Sequence, residues 1–229
     1  MAATREAFSR SESVYQELRQ RLLNGQFDPN QRLKLSELCA ESGVSVSVMR
    51  EALTRLAEQG LIQSEPNKGF AVPFFTTEEI DDLAFTRAHM EALTIRLSIE
   101  RGGPAWEASV VAAHHELALT PRVLASVDPV ANQEWSRVHS AFHAACAAAC
   151  GSPRLLVFRR RLYDEAEVLR QMSDLSDTDR DVEAEHAAIV NAIIARDADQ
   201  AVDFIGNHVR LTAELSADAW QIRTTDGRQ

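Results

Sequence analysis

Glu37–Leu53 reads ELCAESGVSVSVMREAL, and this stretch decides the fold. Leu38, Val44, Val48, Leu53 and Leu56 recur at helical spacing, and Gly43 falls where the pattern breaks. The spacing predicts two short helices joined by a tight turn. Such a pair is a helix-turn-helix, whose second helix enters the DNA major groove. Ser45 is placed to cap that helix, and Ser45 and Ser47 leave small hydroxyls near the groove. A helical hairpin inside an enzyme would show the same periodicity, so the residues that follow are decisive.

Leu56–Gly60 closes the second helix, with Gly60 as its C-cap. Leu61-Ile62-Gln63 and Phe70-Ala71-Val72 read as short strands, and the turn-rich run Ser64–Gly69 lies between them. A helix-turn-helix followed by a small hairpin is a winged helix. Gly69 lets the tip of the wing approach another backbone closely. Lys68 offers a charge to phosphate, or is an ordinary solvated turn lysine.

Three motifs carry a family resemblance: Gly43-Val44-Ser45, Met49-Arg50-Glu51-Ala52-Leu53 and Gln59-Gly60-Leu61. Through them, Tyr15–Val72 resembles the DNA-binding domain of the GntR family of bacterial transcription regulators. Arg50 matches the arginine of the recognition helix and Gly69 the glycine of the wing. The resemblance implies a DNA-binding domain over residues 9–75, with Lys34, Ser45, Val46, Ser47, Arg50, Lys68 and Gly69 at the interface. The family often writes Arg-Thr-Pro after the turn, and this chain has Val46-Ser47-Val48. That departure bears on the operator half-site rather than on DNA binding. The expected partner is double-stranded DNA with an inverted repeat, held by a homodimer.

Composition fits two domains. A chain of 229 residues can bury a sizeable core. Residues 1–75 carry 9 Lys/Arg and 9 Asp/Glu, so the later residues hold the whole net charge of −10. An acidic chain still binds DNA through a local basic face. No basic region followed by an apolar core opens the sequence, and no run approaches the roughly 20 apolar residues of a membrane helix. The expectation is a cytoplasmic protein with no membrane partner. Cys39, Cys146 and Cys150 are odd in number and sit in apolar helices. They read as small buried hydrophobes, with a metal or redox pair at Cys146 and Cys150 as the alternative.

Beyond residue 75 the pattern is helical throughout. Helices are expected from Thr76–Thr77 to Gly102, then over Ala105–Leu119, Val130–Cys150, Arg154–Met172, Asp179–Arg196 and Ala198–Asp218. Loops are expected at Thr120–Pro129 and Asp174–Thr178. The first of these helices carries Ile80, Leu83, Met90, Leu93, Leu97 and Ile99. The fold class is therefore mainly α: an N-terminal winged helix-turn-helix followed by an all-α six-helix bundle over residues 76–218.

Four histidines stand out in the bundle. His139 and His143 lie at i,i+4, so their rings share one helix face, while His186 and His208 fall on the last two helices. Such residues can converge on one metal ion with nitrogens ~2.1 Å from it, or be satisfied core and surface histidines. Arg87 lies one turn before Glu91. It can grip a ligand carboxylate with parallel hydrogen bonds, or pair with Glu91. His89, His114 and His115 carry no assignment.

Residues 76 to about 215 resemble the all-helical FCD ligand domain of FadR-like GntR regulators. Many members hold a divalent metal through an aspartate and three histidines. Here the first pair reads His139-Ser140-Ala141-Phe142-His143, so His139 occupies the aspartate position. His186 in Glu185-His186-Ala187 and His208 in Asn207-His208-Val209 match the remaining two. The resemblance thus implies a metal held by His139, His143, His186 and His208, with Arg87 as effector-binding residue. Four imidazoles suit Zn²⁺ or Ni²⁺ better than Mg²⁺ or Ca²⁺ and leave the ion's charge uncompensated. A small carboxylate metabolite can then complete the coordination. Trp135, Ala149–Leu156 and Leu162-Tyr163-Asp164 resemble the subgroup of carbon-starvation-induced regulators, which implies a dicarboxylate or related effector.

The expected function is a metabolite-responsive DNA-binding transcriptional regulator, a repressor released by its effector. The alternative is a metal-dependent enzyme of helical fold with an accessory winged helix, in which Glu185 is the candidate base. A third reading gives the helical domain a dimerising role with a structural metal.

Overall fold

The computed structural model describes residues 2–66, 68–124, 130–131, 133–172 and 180–226. The loop expected at Asp174–Thr178 lies outside the described residues, as do Asp179 and residues 125–129 of the loop expected at Thr120–Pro129. The chain divides into two compact units, Met1–Thr76 with Glu167–Met172, and Thr77–Ala166 with Ser173–Gln229.

The first unit is built from α1 (Ala2–Leu23), β1 (Arg32–Leu33), α2 (Leu35–Ser42), α3 (Val46–Glu58), β2 (Gln63–Glu65) and β3 (Gly69–Ala71). Gly43 ends α2 at φ 62°, a left-handed turn that a side chain would strain. Ser45 then caps α3, its hydroxyl accepting from the Val48 amide. The far end closes with paired bonds, Gly60 N–H to Ala57 O and Leu61 N–H to Leu56 O. This is the Schellman pattern expected where glycine follows a helix.

Three details differ from the sequence reading. The buried face of α3 is Met49, Ala52, Leu53 and Leu56, while Val44 and Val48 are only half-buried. One step of helix rotation separates these faces, and the position of α1 against α3 selects between them. Leu61 and Ile62 are core residues, and the ladder begins at Gln63. The wing also has a third strand, in the antiparallel order β1-β3-β2, with Leu33 opposite Phe70 and Ser64 opposite Phe70. A two-residue strand is too short to show an alternating pattern. Gly69 sits at φ 82° where the wing turn enters β3, which explains glycine there.

The second unit contains α4 (Thr77–Arg101), α5 (Pro104–Leu119), β4 (Val123–Leu124), β5 (Val130–Ala131), α6 (Gln133–Ala147), α7 (Pro153–Met172, whose end Glu167–Met172 groups with the first unit), α8 (Val182–Ile194) and α9 (Ala198–Asp226). Its six helices agree with the expected bundle. The third bundle helix begins at Gln133 rather than Val130, because Val130–Ala131 pairs with Val123–Leu124 as a short antiparallel ladder. β-branched valines favour that pairing.

Helix α4 packs along α9, α5 along α6 and α8, and α8 along α9. The shared core includes Ile95, Trp106, Val110, Phe142, Ile189, Ile193, Ile205 and Val209. On α4 the buried stripe is not the one expected. Leu93 is exposed, and Met90 and Leu97 are half-buried. Arg87, Glu91, Thr94 and Ser98 are buried instead, alongside Ile80, Leu83, Ile95 and Ile99. Burial of charge is tolerated here because Glu91 Oε2 accepts from Arg159 Nε at 2.7 Å.

Cys146 and Cys150 are buried, and Cys39 only half so. Burial pushes the Cys146 thiol up to about 12, so it behaves as a small hydrophobe rather than a thiolate. Among the described residues no helix is long and apolar enough to cross a membrane.

Candidate metal centre and nucleic-acid interface

Helices α6, α8 and α9 bring the four histidines together. His139 and His143 come from α6, His186 from α8 and His208 from α9, and each is at most 4% exposed. One nitrogen from each ring lies within 4.8 Å of the others. All six ring pairs have centroids between 4.6 and 6.1 Å apart. The Nε2 atoms of His139 and His143 approach to 3.1 Å.

The protonation states suit a cation. Burial holds His143 well below the ordinary histidine range, helped by the neighbouring histidines and by Arg87. His186 is lowered in the same way by burial and by His208. Burial also lowers His208, against the opposing pull of Glu185. Neutral imidazole is the form that ligates metal. His143 Nδ1 and His186 Nε2 are buried with no hydrogen-bond partner among the described residues. A buried polar nitrogen left in that state is costly, and four ring nitrogens within 4.8 Å of one another fit a dication.

Residues outside the ring cluster orient it. Tyr163 Oη lies 2.9 Å from His139 Nδ1, and Trp135 stacks on the His139 ring at 4.4 Å. His208 Nδ1 donates to Glu185 Oε2 at 2.8 Å, which leaves its Nε2 lone pair available. Arg180 in turn grips both oxygens of Glu185, donates to the His208 carbonyl at 2.9 Å and reaches Thr212 Oγ1 at 2.8 Å. Burial alone would raise the Glu185 carboxyl, but the Arg180 and His208 bonds outweigh it and hold it at about 2. Glu185 therefore braces a histidine and is not aimed at the cluster as a base.

Arg87 is buried, with its guanidinium 4.8 Å from the centre of the Tyr163 ring and Nε 3.9 Å from Glu91. Its charge reaches His143 and His208. The closer partner of Glu91 is Arg159, which the sequence reading missed. A cleft of about 300 Å³ opens beside the cluster, bordered by His186, Trp135, Arg180, Arg122, His114 and Glu183.

The expected DNA-contact residues all lie in the first unit. Ser45, Val46, Ser47 and Arg50 occupy the start of α3 and are exposed, with Val46 53% exposed. Lys34 precedes α2 and pairs with Glu37 at 2.8 Å. Lys68 and Gly69 form the wing turn, where Lys68 pairs with Glu65 at 2.8 Å. Arg32, which the sequence reading passed over, joins the wing by donating to the Lys68 carbonyl at 3.1 Å. No local motif marks it, because strand pairing alone brings it there.

Comparison with known proteins agrees with this architecture. Residues 10–72 match bacterial regulatory proteins of the gntR family, and residues 82–211 match the FCD domain. The HTH-type transcriptional repressor GlaR of Escherichia coli (strain K12) is 34% identical over 200 residues, covering 85% of this chain and 90% of that protein. The uncharacterized HTH-type transcriptional regulator BphR of Paraburkholderia xenovorans (strain LB400) is 31% identical over 86% of this chain and 81% of its own length. The solved structure of E. coli McbR/YncC shares the fold, with a TM-score of 0.75 at 19% identity over 91% of this chain and 97% of that one. These relatives are regulators, and the enzyme alternative finds no support among them. The chain belongs to the GntR family of bacterial transcription regulators and carries an FCD domain.

Proposed function

We propose that this protein is a cytoplasmic, metal-loaded repressor whose operator is released when a small carboxylate metabolite binds. Residues 9–75 form the DNA-binding domain and residues 76–218 the ligand-binding and dimerising domain. The observation that carries the reading is the ring of four buried imidazoles braced from behind by Glu185 and Tyr163. His139, His143, His186 and His208 would hold Zn²⁺ or Ni²⁺. Such an ion, when bound, supplies a Lewis-acid anchor for a carboxylate oxygen. Four neutral ligands cancel none of its charge, and Arg87 adds a further positive charge nearby. An anionic effector, such as a dicarboxylate, is the ligand that this electrostatics favours. The repressor name of GlaR supports the sign of regulation.

The DNA partner is an inverted repeat bound by a homodimer, because one winged helix covers one half-site. An effector with different affinity for the DNA-competent and DNA-incompetent states would shift the balance between them.

The test combines elemental analysis of the purified protein, light scattering, and gel-shift titration against a panel of carboxylates. The expected result is about one Zn or Ni per chain, a dimer, and one carboxylate class that both raises the melting temperature and weakens operator binding. A protein that takes up no metal after incubation with zinc or nickel would overturn the site. A metal-loaded protein whose DNA affinity ignores every carboxylate would overturn the mode of release.

A further inference from the structure

Val46 is the first residue of α3 and is 53% exposed. Among residues 10–76 whose side chains are described, the other exposed large apolar side chain is Phe74, at 39%. The two flanking hydroxyls are engaged locally. Ser45 Oγ accepts from the Val48 amide and lies 2.9 Å from Ser47 Oγ. Between them Val46 offers two methyl groups, with no donor or acceptor. Arg50 follows at i+4, on the same face of α3, and is exposed.

The N-terminal residues of a recognition helix are the ones that meet base edges. In the major groove, thymine is the base that presents an apolar group, its C5-methyl. We propose that Val46 reads this methyl, so that each operator half-site carries a thymine facing the start of α3. Its contact is hydrocarbon against hydrocarbon and needs no hydrogen bond. This inference rests on α3 being the recognition helix, and it adds which base α3 selects and by which atoms.

The test uses the full-length protein. A preferred operator is first selected from random duplexes. Each thymine is then replaced by deoxyuridine, which removes only the methyl. At one thymine per half-site, the replacement should weaken wild-type binding by about fourfold, the worth of one buried hydrocarbon group. Val46→Ala should bind the thymine and deoxyuridine duplexes almost equally. Val46→Thr keeps one methyl and should keep part of the preference. At that same position, a 5-methylcytosine·guanine pair should bind wild type more tightly than cytosine·guanine. The proposal is overturned if no thymine replacement weakens wild type, or if Val46→Ala suffers the full loss. Failure to select any duplex would instead overturn the reading of α3 itself, and this inference with it.

Discussion

Glu185 Oε2 lies 2.8 Å from His208 Nδ1, so a carboxylate on α8 fixes the ring of a candidate metal ligand on α9. The bond sets the tautomer of His208 and leaves the lone pair of its other nitrogen for a metal. Carboxylates in this position raise the basicity of the ligand that they hold. Glu185→Gln should therefore lower metal affinity by roughly 10- to 100-fold while leaving all four histidines in place. Competition against a chelator of known affinity measures this. Unaltered affinity would mean that Glu185 serves Arg180 and the start of α8, not the metal centre.

Arg50 stands exposed on α3, one turn after Val46. Arg50→Ala should cost roughly 1–3 kcal/mol of operator binding, the range for a specific contact. Gel-shift titration at fixed salt reads the loss, and circular dichroism checks the fold. Normal spectra with unchanged affinity would remove Arg50 from the interface.

Arg159 and Glu91 form a buried pair at 2.7 Å between α7 and α4. Removing one partner leaves a buried charge without its closest counter-ion, a loss of roughly 3–5 kcal/mol. Arg159→Met should fall near the lower end, because Arg87 remains 3.9 Å from Glu91. The double change Arg159→Met with Glu91→Leu should recover only part of the stability, because the buried Arg87 then loses this carboxylate. Urea denaturation in excess chelator isolates this effect from any metal. A single variant as stable as wild type would show that Arg87 alone satisfies Glu91.

Local chemistry explains which parts of this molecule were legible in the sequence. Gly43 and Ser45 mark their turn and cap by residue type, so α2 and α3 were visible. His139 and His143 share a face through their spacing alone. The missing pieces depend on contacts between distant residues. Glu91 and Arg159 are 68 positions apart, and only the packing of α4 with α7 brings them together. The i,i+4 rule favoured Arg87 as partner instead, and that contact is longer. The polar stripe of α4 was hidden for the same reason, since nothing local distinguishes a buried Glu91 from a solvated one. Glu185 and His186 are adjacent on α8, so helical spacing puts them on different faces. That Glu185 meets His208 follows only from the position of α9.

His139 separates the proposed metal centre from a merely structural cluster. Its Nδ1 is held by Tyr163 and its Nε2 lies 3.1 Å from His143 Nε2. His139→Asp, the residue type of the resembling family, exchanges a neutral nitrogen donor for an anionic oxygen donor. The variant should keep its metal, because a carboxylate also ligates Zn²⁺. It should bind a carboxylate effector less tightly, because the new charge opposes the ligand's own. An uncharged ligand should be nearly indifferent. His143→Ala, by contrast, should lower metal occupancy and melting temperature together, since a metal that binds only the folded state contributes to its stability. Elemental analysis with calorimetric titration of both variants decides the matter. If His139→Asp kept both its metal and its full carboxylate affinity, the effector would not be answering the charge of the centre. If His143→Ala kept full occupancy, His143 would be a core residue beside a site built by others.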